Sequence, residues 1–203
     1  SFAYLDETVH EEKWFNAIAK DVCQFDQQFC SSPQMLMVNT SNWERLLEVG
    51  SAMAQAMSVI SNKYPALQPS PQEMAEITTQ VHLAELESAH GEQKIKIWED
   101  QNQNWRIILT DKPGPHSSPL FRTLLISPTT SELLVSTLQP FRRWLQTCAL
   151  IARPNRYSDL PQTLLAAGVS RITAPGAMHS EYPGEPHDGV YALTQLTRRV
   201  SIN

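Results

Sequence analysis

Hydrophobic residues recur along this chain with two periods, and the two alternate. Ser1–Leu5 (SFAYL) is a short apolar run that predicts a strand. Trp14, Phe15, Ile18, Ala19 and Val22 then fall on one face at helical spacing, which predicts a helix ending near Phe25. Thr8-Val-His-Glu11 has the spacing of a capping box and would open that helix. Met35–Val38 predicts a second buried strand. Ser41-Asn-Trp-Glu44 is another box, opening a long helix to about Ser61. Ser70-Pro-Gln-Glu73 is a third, with Pro71 in the first turn where its missing N–H costs nothing, and this helix should stop before Gly91.

The second half continues the alternation. Lys94–Trp98 and Trp105–Leu109 predict paired strands about a polar turn at Asp100–Asn104. Arg122–Ile126 predicts another strand and Ser131–Leu138 a helix. Trp144–Ile151 is apolar throughout and fits either state. Leu160–Ala167 predicts a helix stopped by Gly168, Val169–Ile172 a short strand, and Val190–Arg199 a last helix. Strands and helices in turn favour an α/β domain. One long loop, Ala174–Asp188, interrupts the pattern with three prolines, two glycines and two histidines. Long loops inside compact domains are often functional.

Composition narrows the classes. The 203 residues, 41% hydrophobic, suit one domain with an adequate core. A net charge of −5 with no basic run argues against nucleic acid or an anionic membrane as partner. No apolar run has the length of a membrane span, and the first residues lack a signal-peptide pattern, so a cytoplasmic protein is expected. The seven glycines form neither a dinucleotide fingerprint nor a P-loop. No cysteine or histidine spacing suggests a metal.

Three cysteines remain as candidate chemistry. Cys148 sits in an apolar run and reads as core. Cys23 lies one position past the apolar face of its helix and should pack. Cys30 differs: it lies between a helix and a strand, in a turn of small and polar residues, QQFCSSPQ. A turn can expose the sulfur, and nearby N–H groups can stabilise a thiolate or an oxyanion. His187, in Pro186-His-Asp-Gly189, is open to a substrate or thiolate contact, and Asp188 reads as the cap of the last helix. His116 reads as a loop residue, and His10, His82 and His90 as helix-surface positions. Glu11, Glu44 and Glu73 are accounted for by capping, and no carboxylate pair stands out as acid and base.

Four ordered segments then carry a family resemblance. Gln27–Gln34 around Cys30, Ser118-Pro-Leu-Phe-Arg-Thr123, Leu138–Thr147 ending in LQT, and Gly168-Val-Ser-Arg-Ile172 with Gly176 and His187-Asp-Gly189 resemble the long-chain acyl-CoA reductases of bacterial bioluminescence. These belong to the aldehyde dehydrogenase superfamily. The resemblance implies a three-layer α/β catalytic domain with a mostly parallel sheet, spanning residues 1–203. It implies that an NAD(P)-binding domain and the superfamily's glutamate base precede Ser1. It implies that Cys30 takes up the acyl group from acyl-CoA or an acyl donor protein. Ser31 and Ser32 then shape the turn or solvate the thiolate, the oxyanion draws on the Cys30 N–H, and NADPH supplies the hydride. Superfamily catalytic domains commonly make subunit contacts, so a homo-oligomer is expected.

Three other readings fit parts of the pattern. A reductase of acyl phosphates or semialdehydes would share Cys30 but not the HDG segment. A non-catalytic interaction or oligomerisation module would keep the fold alone. A thioesterase-like hydrolase would need a histidine near the sulfur.

Overall fold

A computed structural model describes residues 1–91, 93–187 and 189–196. Its centre is a seven-stranded sheet built from β1 (Phe2–Asp6), β2 (Met35–Asn39), β3 (Ile95–Glu99), β4 (Arg106–Thr110), β5 (Thr123–Thr129), β6 (Thr147–Ile151) and β7 (Arg171–Thr173). The order is β3-β4-β5-β2-β1-β6-β7. All neighbours pair in parallel except β3 and β4, which form the antiparallel pair expected about the Asp100–Asn104 turn. The α/β arrangement is the one that the alternating pattern implied.

The central strands β1, β2 and β6 read as apolar runs because both faces of the sheet are covered there. Side chains alternate between the faces. Ala3, Leu5, Leu36, Val38, Ile107, Leu109, Leu124 and Ile126 meet α1 (Glu12–Cys23) and α2 (Trp43–Ile60). Phe2, Tyr4, Met35, Met37, Ile108, Leu125, Cys148 and Leu150 form the other face. There they meet α3 (Pro71–His90), α4 (Leu134–Leu138) and α5 (Leu160–Ala167). Each large side chain buried this way stabilises by roughly 1.5–3 kcal/mol before entropy is counted. The ambiguous run ending at Ile151 is strand β6. Of the expected last helix, α6 (Ala192–Leu196) falls within the described residues, and the proposed cap Asp188 lies outside them.

Helix starts deviate from the local patterns in three places. The box at Ser70 is present in both halves: its hydroxyl accepts the Glu73 N–H, and the Glu73 carboxylate accepts the Ser70 N–H. The box at Thr8 does not form. The Thr8 amide and hydroxyl both donate to the Asp6 carboxylate instead (3.1 and 3.0 Å), so α1 begins at Glu12 with Glu11 as its cap residue, and His10 lies ahead of the helix. At the second helix Asn42, not Ser41, is the cap, its side-chain oxygen accepting the Glu44 N–H at 3.0 Å. α4 starts at Leu134 rather than Ser131, and Ser131 binds the Asn39 side chain. At the far end of α5, Gly168 takes φ +109° and packs on Arg142; a Cβ there would lie 2.5 Å from the Arg142 Cβ. Glycine answers both demands.

Candidate active site

The turn that carries Cys30 begins where α1 stops. Asp26 and Gln27 take left-handed φ values of +50° and +62° and turn the chain away from the helix axis. Such conformations cost non-glycine residues about 1–2 kcal/mol each and persist only when the surroundings enforce them. Two contacts do so. The Gln27 amide donates to the carbonyl oxygens of Pro33 (2.9 Å) and Thr123 (3.2 Å), bracing the turn across its base. The Asp26 carboxylate forms a buried ion pair with Arg122 and accepts the Leu67 N–H at 3.2 Å.

Arg122 is the largest fully buried side chain and is central to this brace. Beyond Asp26, its guanidinium donates to the carbonyl oxygens of Cys23, Tyr64 and Pro65 (3.2 Å each) and Ser61 (3.4 Å). It sits at the end of a second left-handed stretch, Leu120, Phe121 and Arg122, with φ +65°, +49° and +59°. The Phe121 N–H donates to the Asp26 carbonyl at 3.1 Å, so the two unusual segments support each other. A buried guanidinium is tolerable here because its donors meet a carboxylate and four carbonyls.

On this base Cys30 is held outward. The Ser32 N–H donates to the Phe29 carbonyl at 2.9 Å, closing a tight turn with Cys30 and Ser31 at its centre. The Cys30 carbonyl accepts the Ser1 hydroxyl at 2.7 Å, and that hydroxyl accepts the Thr147 N–H at 3.1 Å. Among the described residues the amide N–H groups of Cys30 and Ser31 meet no protein acceptor, which leaves them available to an oxyanion. The Cys30 thiol is free and exposed. It lies outside the amino ends of β1, β2, β6 and β7.

The cysteine readings divide as expected. Cys23 and Cys148 are both fully buried. Burial pushes the Cys23 thiol up to about 12 and the Cys148 thiol upward as well. Cys23 belongs to the apolar face rather than beside it, with its sulfur 3.9 Å from that of Met57.

Ser31 and His187 line one small cleft with Cys30, together with Gln146, Thr147, Ser170, Arg171, Glu181, Glu185 and Pro186. Its volume is about 30 Å³, and a second, larger pocket of about 400 Å³ also reaches Cys30, between Ser1, Gln34, Arg142, Trp144 and Gln146. Ser32 turns inward and is buried. Arg171 builds the cleft's outer wall: it pairs with Glu185 at 2.7 Å and donates to the carbonyls of Met178 (2.9 Å) and Ser180.

Two residues that the sequence did not single out complete the site. His179 Nδ1 lies 3.0 Å from the Ser31 hydroxyl, and its Nε2 lies 2.9 Å from the Asp21 carbonyl. The Asp21 carboxylate, fully buried, accepts the N–H groups of Gly176 (2.6 Å) and Met178 (3.4 Å). Burial raises the pKa of Asp21, against the opposing effect of these N–H groups and of nearby His179. The two histidines of the long loop were the only hint of this contact.

A model of the acyl-CoA reductase (LuxC) family matches residues 1–199. The chain belongs to the LuxC family of acyl-CoA reductases. Curated relatives of this LuxC-family chain include the long-chain acyl-protein thioester reductase of Vibrio harveyi, 25% identical over 202 residues. The match covers 99% of this chain and 40% of that relative. The protein of the same name from Photorhabdus luminescens is 24% identical over 205 residues, covering 99% and 40%. The chain therefore spans about two fifths of the length of these relatives. Among solved structures, glyceraldehyde-3-phosphate dehydrogenase GapN of Methanocaldococcus jannaschii, complexed with NADP, is similar with a TM-score of 0.59 at 14% identity. That similarity covers 94% of this chain and 42% of GapN. The indole-3-acetaldehyde dehydrogenase AldA of P. syringae gives a TM-score of 0.59 at 11% identity, covering 86% and 37%. These likenesses show that the LuxC-family chain has the aldehyde dehydrogenase fold. No helix among the described residues is long and apolar enough to cross a membrane.

Proposed function

We propose that this chain is the thiol-bearing catalytic domain of a reductase that converts fatty acyl thioesters to aldehydes, with Cys30 as the acyl acceptor. The observation that carries the reading is the exposed Cys30 on a braced turn, with two uncommitted N–H groups beside it, in a chain of the LuxC family. The thiolate attacks the carbonyl carbon of the thioester. The N–H groups of Cys30 and Ser31 stabilise the tetrahedral oxyanion, the donor's thiolate leaves, and the acyl group remains on Cys30. The relatives are acyl-protein thioester reductases, which favours an acyl donor protein over free acyl-CoA.

A nicotinamide cofactor, NADPH on the sequence resemblance, would supply the hydride for reduction. The chain has no glycine-rich phosphate cradle. We assign the cofactor to a separate N-terminal domain, and the whole to a cytoplasmic homo-oligomer. A second reading rests on His187, which lines the cleft with Cys30. A histidine there could activate water and turn the acyl-enzyme into a hydrolase.

Incubation with labelled acyl-CoA and NADPH separates these readings. The proposal expects a hydroxylamine-sensitive protein adduct that stays bound and yields neither aldehyde nor free fatty acid from this chain alone. Turnover to fatty acid would favour the hydrolase. Aldehyde formation by this chain alone would contradict the assignment of the cofactor to another domain.

A further inference from the structure

His179 is held to the Cys30 turn more firmly than an incidental neighbour would be. It reaches Ser31 across 148 positions of sequence. A carbonyl oxygen only accepts, so the ring nitrogen facing the Asp21 carbonyl, Nε2, carries a hydrogen. In the neutral ring Nδ1 is then an acceptor, and the Ser31 hydroxyl donates to it. Phe25 and Phe29 stack with centroids 4.1 Å apart, and the imidazole stands edge-on to both, at 4.9 and 5.7 Å. The backbone before His179 is pinned by the Asp21 carboxylate, and the Lys20 ammonium donates to the Gly176 carbonyl at 2.9 Å.

These contacts give the Ser31 hydroxyl two states. With His179 neutral, its hydrogen is committed to Nδ1 and unavailable to the cleft. With His179 protonated, Nδ1–H becomes a donor, the Ser31 oxygen must accept, and the hydroxyl hydrogen turns elsewhere. Ser31 and Cys30 line the same cleft, so that hydrogen becomes available to the sulfur or to an oxygen held beside it.

We propose that His179 is a positioning residue for Cys30, acting through Ser31, and that its protonation switches the Ser31 hydroxyl into a donor for the thiolate. The switch rests on the reading of Cys30 as the nucleophile. The charged and titratable groups around His179 are Asp21 and Lys20 from α1, Cys30 from the turn, and Glu181, Glu185 and His187 from its own loop, with Arg171 paired to Glu185.

The test is the rate of Cys30 alkylation by iodoacetamide as a function of pH, with the modified peptide identified by mass. Alkylation needs no acyl transfer, so its outcome is independent of whether Cys30 accepts an acyl group. The wild type is expected to depart from a single thiol titration at one lower pH. Below it, the reactivity of each thiolate should change by about tenfold, the scale of one hydrogen bond to a charged group. Ser31→Ala and His179→Asn should each follow a single titration, while His187→Ala keeps the departure. Cooperative melting and continued protection of Cys23 and Cys148 check that each variant is folded, and Ser31→Ala decides alone if His179→Asn fails this check. A single titration in the wild type, a departure that survives Ser31→Ala, or one that vanishes in His187→Ala would overturn the proposal.

Discussion

Cys23 and Cys30 stand seven residues apart and have opposite surroundings. Cys23 closes the apolar face of α1, fully buried, its sulfur against Met57. Cys30 is exposed on a turn braced by the Gln27 amide below it and by the Ser1 hydroxyl on its carbonyl. The difference lies in Asp26 and Gln27, which break the helical path with left-handed backbone, and in Arg122, which makes that break tolerable. An exposed thiol here needs left-handed backbone and a buried charge as much as it needs sulfur. The packed thiol needs only an apolar face.

The largest contrast should appear in thiol accessibility. In native buffer Cys30 is expected to alkylate at least about a thousandfold faster than Cys23 or Cys148, because the buried thiols react only through rare opening. Equal rates in a folded sample would erase the comparison. Arg122→Ala should come next. It leaves Asp26 buried without its partner, and a loss of about 3–5 kcal/mol is expected in urea unfolding. In whatever fraction remains folded, Cys30 should lose its oriented turn, so acyl loading should fall more than alkylation does. Retained stability and loading would show that the left-handed segments hold themselves.

A smaller effect follows from pH. The folded chain holds the Cys23 proton more tightly than the unfolded chain, at about 12 against an ordinary 9.0. The native state therefore binds more protons in that window, and stability falls as pH rises from about 9 toward 12. Cys148 and Tyr4, the latter raised to about 12 by burial, act in the same direction. Cys23→Ala should cost about 1 kcal/mol or somewhat more at neutral pH and flatten part of the alkaline decline in melting temperature. A decline unchanged by this substitution would assign the alkaline loss to other groups.

Much of the fold was legible because its rules are local. β1, β2 and β6 are buried on both faces and so appear as uniform apolar runs. Ser70 and Glu73 lie in an unhindered stretch and form the box their spacing suggests. Thr8 has the same spacing but loses to Asp6, a carboxylate two residues upstream that binds both of its donors. At the candidate site, the exposure of Cys30 was legible from its turn of small and polar residues. His179 was not, because its partners Asp21 and Ser31 lie about 150 positions away and no spacing rule links them. Arg122 was not, because arginine is rarely buried and Leu120 and Phe121 carry no residue-type signal for left-handed backbone. Asp21 was hidden for the same reason as Arg122: a charge on a buried helix position announces itself only once its partners are known.

The most direct test of the central claim is to locate the acyl group after reaction with a labelled long-chain acyl thioester, by peptide mass, in the wild type and in Cys30→Ala. The account predicts one hydroxylamine-sensitive acyl group on the peptide containing Cys30, and none in Cys30→Ala although that variant melts like the wild type. An acyl group on Cys23 or Cys148, or loading that survives in folded Cys30→Ala, would contradict it.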